Sequence, residues 1–190
     1  MAERDLLSGE WAVLSMLRLG PRHGYEIARA LEQDGLPDVT RIEENLLYSY
    51  LKTLDRRGLI AGHEVRVGAY PPRRVFELTA AGAAAVDGWL RQPVDRLREV
   101  RLEFMLKLYF LHRLDPAAEK VLLGRQIEAV GAYIDRVAAR LSVAPAQGFE
   151  RLVLGSKVTA AEATLAWLQA YANELGLPVT ANSIKPEVIQ

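Results

Sequence analysis

Three short segments near the start of the chain carry apolar residues at the spacing of amphipathic helices. The first follows Ser8, a residue type that caps helices, and it ends at Gly20. The second spans residues 24–33. The third is predicted to begin near Thr40, because Thr40 and Glu43 form a capping-box pattern. Its predicted buried stripe consists of Leu47, Leu51 and Leu54.

A hairpin is predicted directly after the third helix, which ends at Gly58. Residues 61–67 and 73–78 alternate apolar and polar positions, as strands with one buried face do, and residues 68–72 form the turn. Thr79 then caps a fourth, alanine-rich helix. This order of elements is typical of a winged helix-turn-helix, a fold that places one helix in the major groove of DNA.

The second half of the chain contains no predicted strand. Residues 100–114 form a strongly apolar helix that must be buried on nearly all sides. Two further helices carry apolar residues at alternating spacings of four and three, which suits helix-on-helix packing in a small bundle. The first seam is Leu123, Ile127, Val130, Ile134, Val137 and Leu141. The second seam is Leu154, Val158, Ala161, Leu165, Leu168, Ala172 and Leu175.

The predicted fold class is therefore mainly α, with an α+β N-terminal part. Residues 1–92 are expected to form a winged helix-turn-helix domain, and residues 93–176 an all-helical dimerisation domain. Residues 177–190, which follow Gly176, are expected to form a flexible tail.

Composition narrows the class of protein. The 190 residues are 50% hydrophobic, which is enough for a substantial core, and the absence of cysteine excludes disulfides and thiolate metal sites. The formal net charge is zero, which tells against nonspecific binding of nucleic acid. Between residues 52 and 74, however, six basic residues outnumber two acidic residues. No membrane span or signal peptide is predicted, so we expect a cytoplasmic location.

Four motifs follow one another along the chain: Gly24-Tyr25-Glu26-Ile27; Leu47-Tyr48-Ser49-Tyr50-Leu51-Lys52-Thr53-Leu54 with Gly58-Leu59-Ile60; Phe76-Glu77-Leu78-Thr79 with Gly82; and Glu103-Phe104-Met105-Leu106-Lys107 with Tyr109-Phe110. Their order and spacing resemble the PadR family of bacterial transcriptional regulators. The last motif resembles the phenolic-acid-responsive type, which has a C-terminal helical dimerisation domain. The resemblance implies a homodimeric repressor on a palindromic operator. The chain departs from the family pattern at Glu43 and Glu44, where small or polar residues are usual.

The predicted third helix carries candidate contacts to DNA. Tyr48 and Lys52 are assigned to phosphates, because a tyrosine hydroxyl and an ammonium group are common donors to phosphate oxygens. Arg41 and Asn45 are candidates for reading bases, since arginine suits guanine and asparagine suits adenine. An ordinary surface role is an equal alternative for Arg41 and Asn45.

Further candidates lie outside the third helix. Tyr25 is assigned to a phosphate together with the unpaired backbone amides at the start of the second helix, with a core tyrosine as the alternative. Arg73 and Arg74 lie in the predicted hairpin of residues 61–78, which forms the wing of the fold. One of the two should face outward because side chains alternate along a strand. The complete set of DNA-binding candidates is Tyr25, Arg41, Asn45, Tyr48, Ser49, Lys52, Arg73 and Arg74.

The apolar residues of the second half are candidates for the dimer contact. The residues assigned to dimerisation are Phe104, Leu108, Ile127, Ile134, Leu141, Leu165 and Leu168. A small aromatic effector is a possible further partner, with core packing as the better interpretation of each aromatic taken alone. The aromatic candidates for its pocket, which is expected between the two domains, are Trp11, Trp89, Phe104, Tyr109 and Trp167.

The sequence offers no catalytic set. His23, His63 and His112 share no metal-ligand spacing, and no nucleophile elbow, phosphate loop or dinucleotide fingerprint occurs. Neither an enzyme nor a cofactor is therefore predicted. The alternative to a DNA-binding regulator is a winged-helix adaptor that binds proteins, which the zero net charge and the acidic Glu43 and Glu44 favour.

Overall fold

The computed structural model of the chain describes residues 6–66 and 73–177. They belong to two compact units, which divide between Leu122 and Leu123. The predicted wing turn at residues 68–72 and the predicted tail beyond residue 177 lie outside the described residues. In the described ranges, no helix combines the length and the apolar character needed to cross a membrane.

The first unit follows the predicted order of helices and hairpin. Its described elements are α1 (Ser8–Arg18), β1 (Arg22–His23), α2 (Gly24–Leu31), α3 (Leu36–Val39), α4 (Glu44–Arg56), β2 (Ile60–Val65), β3 (Arg73–Leu78), α5 (Ala80–Leu90), α6 (Leu97–Glu99), a π-helical turn (Val100–Phe104) and α7 (Met105–Leu114). This arrangement confirms the predicted fold class, mainly α with a small sheet in the N-terminal part.

The sheet has three antiparallel strands in the order β1-β3-β2. The hairpin pairs in register from Ile60 with Leu78 to Val65 with Arg73. On its other side, β3 pairs only two residues with β1, of which His23 opposite Val75 is the outer pair. Because α2 begins directly after His23, this short strand brings the start of α2 beside the wing.

The core of the first unit is built on α1 and α4. The predicted stripe of α4 is confirmed, since Leu47, Leu51 and Leu54 are at most 1% exposed. Thr79 caps α5 as predicted, because its Oγ1 accepts from the Gly82 amide at 3.0 Å. Gly82 lies against the Leu59 carbonyl, where a Cβ would collide with backbone.

Two predicted helix starts are wrong. Thr40 ends α3, a short helix that begins with Pro37 near its first position, and α4 starts only at Glu44. In α1 the capping position is Leu7 rather than Ser8, and the Glu10 carboxylate accepts from the Leu7 amide at 2.9 Å. A glutamate three residues along the chain therefore replaces the hydroxyl that the sequence pattern suggested.

The turn between α2 and α3 contains Asp34, which has a left-handed backbone with φ of 56°. Aspartate tolerates this conformation better than most residues because its short side chain can form local hydrogen bonds. Here its carboxylate instead accepts from Arg113 at 3.0 Å and from the Tyr109 hydroxyl at 3.3 Å. The Arg113 guanidinium also lies 3.6 Å from the centre of the Tyr109 ring. Side chains of α7 thus hold the turn between α2 and α3.

The second unit is formed by α9 (Phe149–Glu174) and by most of α8 (Pro116–Val143). At their shared end, Arg140 and Glu150 form an exposed ion pair at 3.7 Å. Along α8 the predicted seam divides in two: Leu123, Val130 and Val137 are buried. The intervening members are only half-buried, namely Ile127, Ile134 and Leu141.

Candidate nucleic-acid interface

A groove of about 750 Å³ lies between the start of α2, one face of α4 and strand β3. Five of the eight predicted DNA-binding residues line this groove: Tyr25, Tyr48, Lys52, Arg73 and Arg74. The other three lie outside its lining. Asn45 and Ser49 are exposed on α4, and Arg41 is exposed in the extended segment before α4.

Two tyrosines stand at the α2 side of the groove, and both are exposed. Tyr25 is 65% exposed and Tyr48 is 47% exposed. The Tyr48 ring lies against Gly24, where a Cβ would be only 2.9 Å from its Cε1 atom. The glycine at the start of α2 therefore permits Tyr48 to pack closely while its side chain remains accessible.

His23 lines the groove and was not among the predicted site residues. Its backbone amide donates to the Glu26 carboxylate at 2.8 Å, which repeats the cap seen between Leu7 and Glu10. Its ring Nδ1 donates to the Arg74 carbonyl at 3.2 Å. A two-residue strand leaves no periodic pattern in the sequence, and only the glutamate three residues later could have indicated this role.

The three basic residues of the groove differ in their partners. Arg74 donates to the Asp55 carboxylate at 2.7 Å, and its guanidinium lies 5.3 Å from the centre of the Phe76 ring. Lys52 and Arg73 form no hydrogen bond or ion pair with any residue in the described part of the chain. Two cations of the groove are therefore available to an external anion.

The predicted dimerisation residues lie in two kinds of environment. Phe104, Leu108, Leu165 and Leu168 are at most 6% exposed within the single chain. Ile127, Ile134 and Leu141 follow one another at intervals of seven on α8 and remain half-buried. Residues seven apart lie on one side of a helix, so these three form one continuous stripe.

The predicted aromatic set is not brought together in the groove, since none of its five residues lines it. Trp11 and Trp89 stack at 4.9 Å, and the Trp89 indole donates to the Glu103 carboxylate at 2.9 Å. Phe104 is fully buried. The other two members, Tyr109 and Trp167, are half-buried, with Tyr109 bound to the Asp34 carboxylate.

Lys107 completes the cluster around Trp89. Its ammonium donates to Glu103 at 2.8 Å and to the Gln92 carbonyl at 2.9 Å, and lies 4.8 Å from the centre of the Trp89 ring. Burial lowers the pKa of Lys107, and the nearby Glu103 carboxylate partly opposes this shift. The polar groups of Trp89, Glu103 and Lys107, called the buried node below, thus bind one another or the nearby backbone. Among the described residues, no three His, Asp or Glu side chains are grouped so that they could hold a metal ion.

Comparison with known families matches both halves of the chain. Residues 13–87 match the model described as the transcriptional regulator PadR-like family. Residues 100–176 match the model described as virulence activator alpha C-term. The negative transcriptional regulator PadR of Bacillus subtilis (strain 168) is 30% identical over 104 residues. That alignment spans 54% of the chain and 56% of the relative, so the chain matches about half of the relative's length.

Solved structures of similar proteins include Bacillus subtilis PadR in complex with operator DNA. It is 22% identical with a TM-score of 0.45, and the match covers 89% of this chain and 99% of that one. A PadR-like transcriptional regulator from Bacillus cereus is 22% identical with a TM-score of 0.43, over 92% of this chain and 99% of the other.

Proposed function

We propose that the chain is a PadR-like transcriptional regulator, and that it represses transcription by binding a palindromic operator as a homodimer in the cytoplasm. The match of residues 13–87 to the PadR-like family and the similarity to the Bacillus subtilis regulator support this proposal. The family consists of regulators rather than enzymes, which confirms the prediction that the chain is not an enzyme. The observation that carries the proposal is the groove, where Lys52 and Arg73, which have no ion-pair partner among the described residues, lie beside the exposed Tyr25 and Tyr48. The name of the Bacillus subtilis relative, a negative regulator, supports repression.

The groove and the exposed face of α4 have different tasks in this proposal. Lys52 and Arg73 neutralise phosphates, and the hydroxyls of Tyr25 and Tyr48 donate to phosphate oxygens. Such contacts position the protein on the duplex without reading its sequence. Bases are read from the exposed face of α4 and the segment before it, by Arg41, Asn45 and Ser49.

The half-buried stripe of α8 is the proposed dimer contact. Ile127, Ile134 and Leu141 keep apolar surface exposed at helical intervals, which a second copy of the chain would cover. The other residues assigned to dimerisation are at most 6% exposed within one chain, namely Phe104, Leu108, Leu165 and Leu168. A two-fold dimer places its two α4 helices about 34 Å apart, one turn of DNA, and so requires a palindromic site.

An effector is part of the proposal on the strength of the family resemblance. A small aromatic acid that binds near residues 92–100 would change the separation of the two α4 helices and release the operator. A thermal-shift screen of small aromatic acids tests this. The absence of any acid that both raises the melting temperature and weakens operator binding would remove the effector from the scheme.

Binding to the DNA upstream of the protein's own gene, measured by fluorescence anisotropy over a range of salt concentrations, tests the main proposal. Lys52→Gln and Arg73→Gln should each reduce the slope of log affinity against log salt by about one. Lys157→Gln, which removes an exposed cation from α9, is the matched control and should leave the slope unchanged.

The adaptor alternative rests on the exposed Glu43 and Glu44 at the start of α4, where two carboxylates would meet phosphates. It predicts that the parent protein gives no salt-sensitive complex that survives nonspecific competitor DNA. It further predicts that Glu43→Gln and Glu44→Gln leave DNA binding absent. A competitor-resistant complex with the parent protein would exclude it.

A further inference from the structure

The side chain of Arg74 leaves the wing and reaches back to α4. Its guanidinium donates to Asp55, in the last turn of α4, at 2.7 Å, and it lies over the ring of Phe76 on its own strand. Both side chains of the ion pair are partly exposed, at 54% for Arg74 and 34% for Asp55. The pair therefore joins the wing strand to the helix that is proposed to read DNA.

Gly62 provides the space for this arrangement. It pairs with Phe76 across the hairpin, and the Arg74 guanidinium crosses the position where its Cβ would otherwise be. Gly62 does not have the left-handed backbone that would itself call for glycine. The missing side chain, rather than backbone freedom, is what the Arg74 guanidinium uses.

The ion pair lies where the hairpin loses its third strand. Strand β1 supports β3 only as far as Val75, whereas Arg74 and Arg73 pair with β2 alone. A two-stranded hairpin without further packing is marginally stable in water. The side-chain contact of Arg74 therefore lies at the first position of β3 beyond its pairing with β1.

Arg74 is also held through its backbone, since its carbonyl accepts from His23 Nδ1 at 3.2 Å. Because side chains alternate along a strand, the neighbouring Arg73 belongs to the opposite face of the sheet. It has no hydrogen bond or ion pair within the described ranges. Two adjacent arginines thus differ in their surroundings. Arg74 is bound through both its side chain and its carbonyl, whereas Arg73 has no such contact with the described residues.

We propose that Arg74 and Asp55 are positioning residues that fix the wing at a set distance from α4. Of the two adjacent arginines of β3, Arg73 contacts a phosphate and Arg74 does not. The proposal rests on the DNA-binding function proposed above, and it assigns different roles to Arg73 and Arg74. Gly62 is part of the same arrangement, because a side chain at position 62 would displace the Arg74 guanidinium.

Hydrogen exchange of the DNA-free protein tests directly whether the contact between Arg74 and Asp55 holds the wing. Arg74→Gln, Asp55→Asn and Gly62→Ala should each raise exchange at the outer amides of β2 and β3 by up to about fivefold, the size expected of one exposed ion pair. The double variant Arg74→Gln with Asp55→Asn should exchange no faster than the single variants, because both remove one interaction. Arg73→Gln is the matched control and should leave exchange unchanged.

The salt dependence of operator binding separates positioning from phosphate contact. Arg74→Gln and Gly62→Ala should weaken binding by up to about fivefold with an unchanged salt slope. Arg73→Gln should reduce the slope by about one. Asp55→Asn also removes a negative charge near the DNA, so exchange is the deciding measurement for that variant.

Two results would overturn the proposal: a slope reduced by about one in Arg74→Gln, or unchanged wing exchange in all three variants. A parent protein that binds no operator would refute the DNA-binding function instead. The exchange measurement would still decide, without DNA, whether Arg74 and Asp55 hold the wing.

Discussion

Two ion pairs of the first unit, Arg74 with Asp55 and Lys107 with Glu103, lie in opposite environments. The Arg74–Asp55 pair lies at the groove with both side chains partly exposed, whereas Lys107 beside Glu103 is only 2% exposed. Exposed ion pairs contribute little to stability because water already solvates both charges. A buried ammonium has lost that solvation and depends on every remaining partner. The first pair is therefore suited to fix the position of the hairpin, whereas loss of one partner of the second pair is expected to destabilise the fold strongly.

The partners of Lys107 come from three parts of the chain. Trp89 belongs to α5, the Gln92 carbonyl follows that helix, and Glu103 lies in the π-helical turn before α7. Through Trp89 the node extends to Trp11 of α1. Removing one of these side chains is therefore expected to weaken the contacts of several elements at once.

Lys107→Met should produce the largest effect, a loss of about 3 kcal/mol in the free energy of unfolding. The methionine fills similar space but leaves the Gln92 carbonyl without its donor and Glu103 without its countercharge. Urea unfolding followed by tryptophan fluorescence and circular dichroism measures the change. Lys120→Met, at an exposed position of α8, is the control. A loss in Lys107→Met no larger than in this control would contradict the contrast between the two pairs.

A smaller effect should appear in the pH dependence of stability. Burial lowers the pKa of Lys107 below its ordinary value of 10.5, so the folded state releases this proton first as pH rises. Between the lowered pKa and 10.5 the unfolded state binds more protons, and the contribution of Lys107 to the unfolding free energy rises with pH.

The stability difference between the parent protein and Lys107→Met should accordingly grow as pH is raised towards 10.5. The comparison cancels Tyr50 and Tyr109, whose pKa values are raised by burial and which are present in both proteins. A difference that shrinks over this range would mean that the pKa of Lys107 is not lowered in the folded state.

The smallest effect is expected for Arg18→Gln. Arg18 donates to the Asp87 carboxylate through two hydrogen bonds of 3.0 and 3.3 Å, and both side chains are more than one third exposed. The loss should stay below about 1 kcal/mol. The same urea titration, with Arg29→Gln on the exposed side of α2 as control, gives the reference for exposed pairs such as Arg74 with Asp55. A loss approaching that of Lys107→Met would remove the distinction between the two environments.

The local pattern of the sequence predicted much of the first unit. The spacing of Leu47, Leu51 and Leu54 identified the buried face of α4, and Thr79 identified the start of α5. These features depend on residues within one or two turns of each other. The start of α4 could not be predicted in the same way, because the capping pattern at Thr40 overlaps the end of a short helix that begins at Leu36.

Contacts between distant residues were the main part of the site that the sequence did not reveal. Strand alternation indicated that Arg73 and Arg74 differ, but not that Asp55 binds one of them. The apolar seam of α8 did not distinguish buried positions from half-buried positions such as Ile134. The contact between Asp34 and Arg113 joins residues 79 positions apart and has no local signature.

The buried node around Lys107 has a practical consequence for dissecting the protein. A fragment that stopped at residue 92, the predicted end of the winged helix, would lack both Glu103 and Lys107. Its Trp89 indole would lose its hydrogen-bond acceptor, and the Trp89 ring, which stacks on Trp11, would lose the ammonium that lies over it. The shortest useful truncation of the DNA-binding part is therefore one that retains α7 and ends near Leu122, where the first compact unit ends.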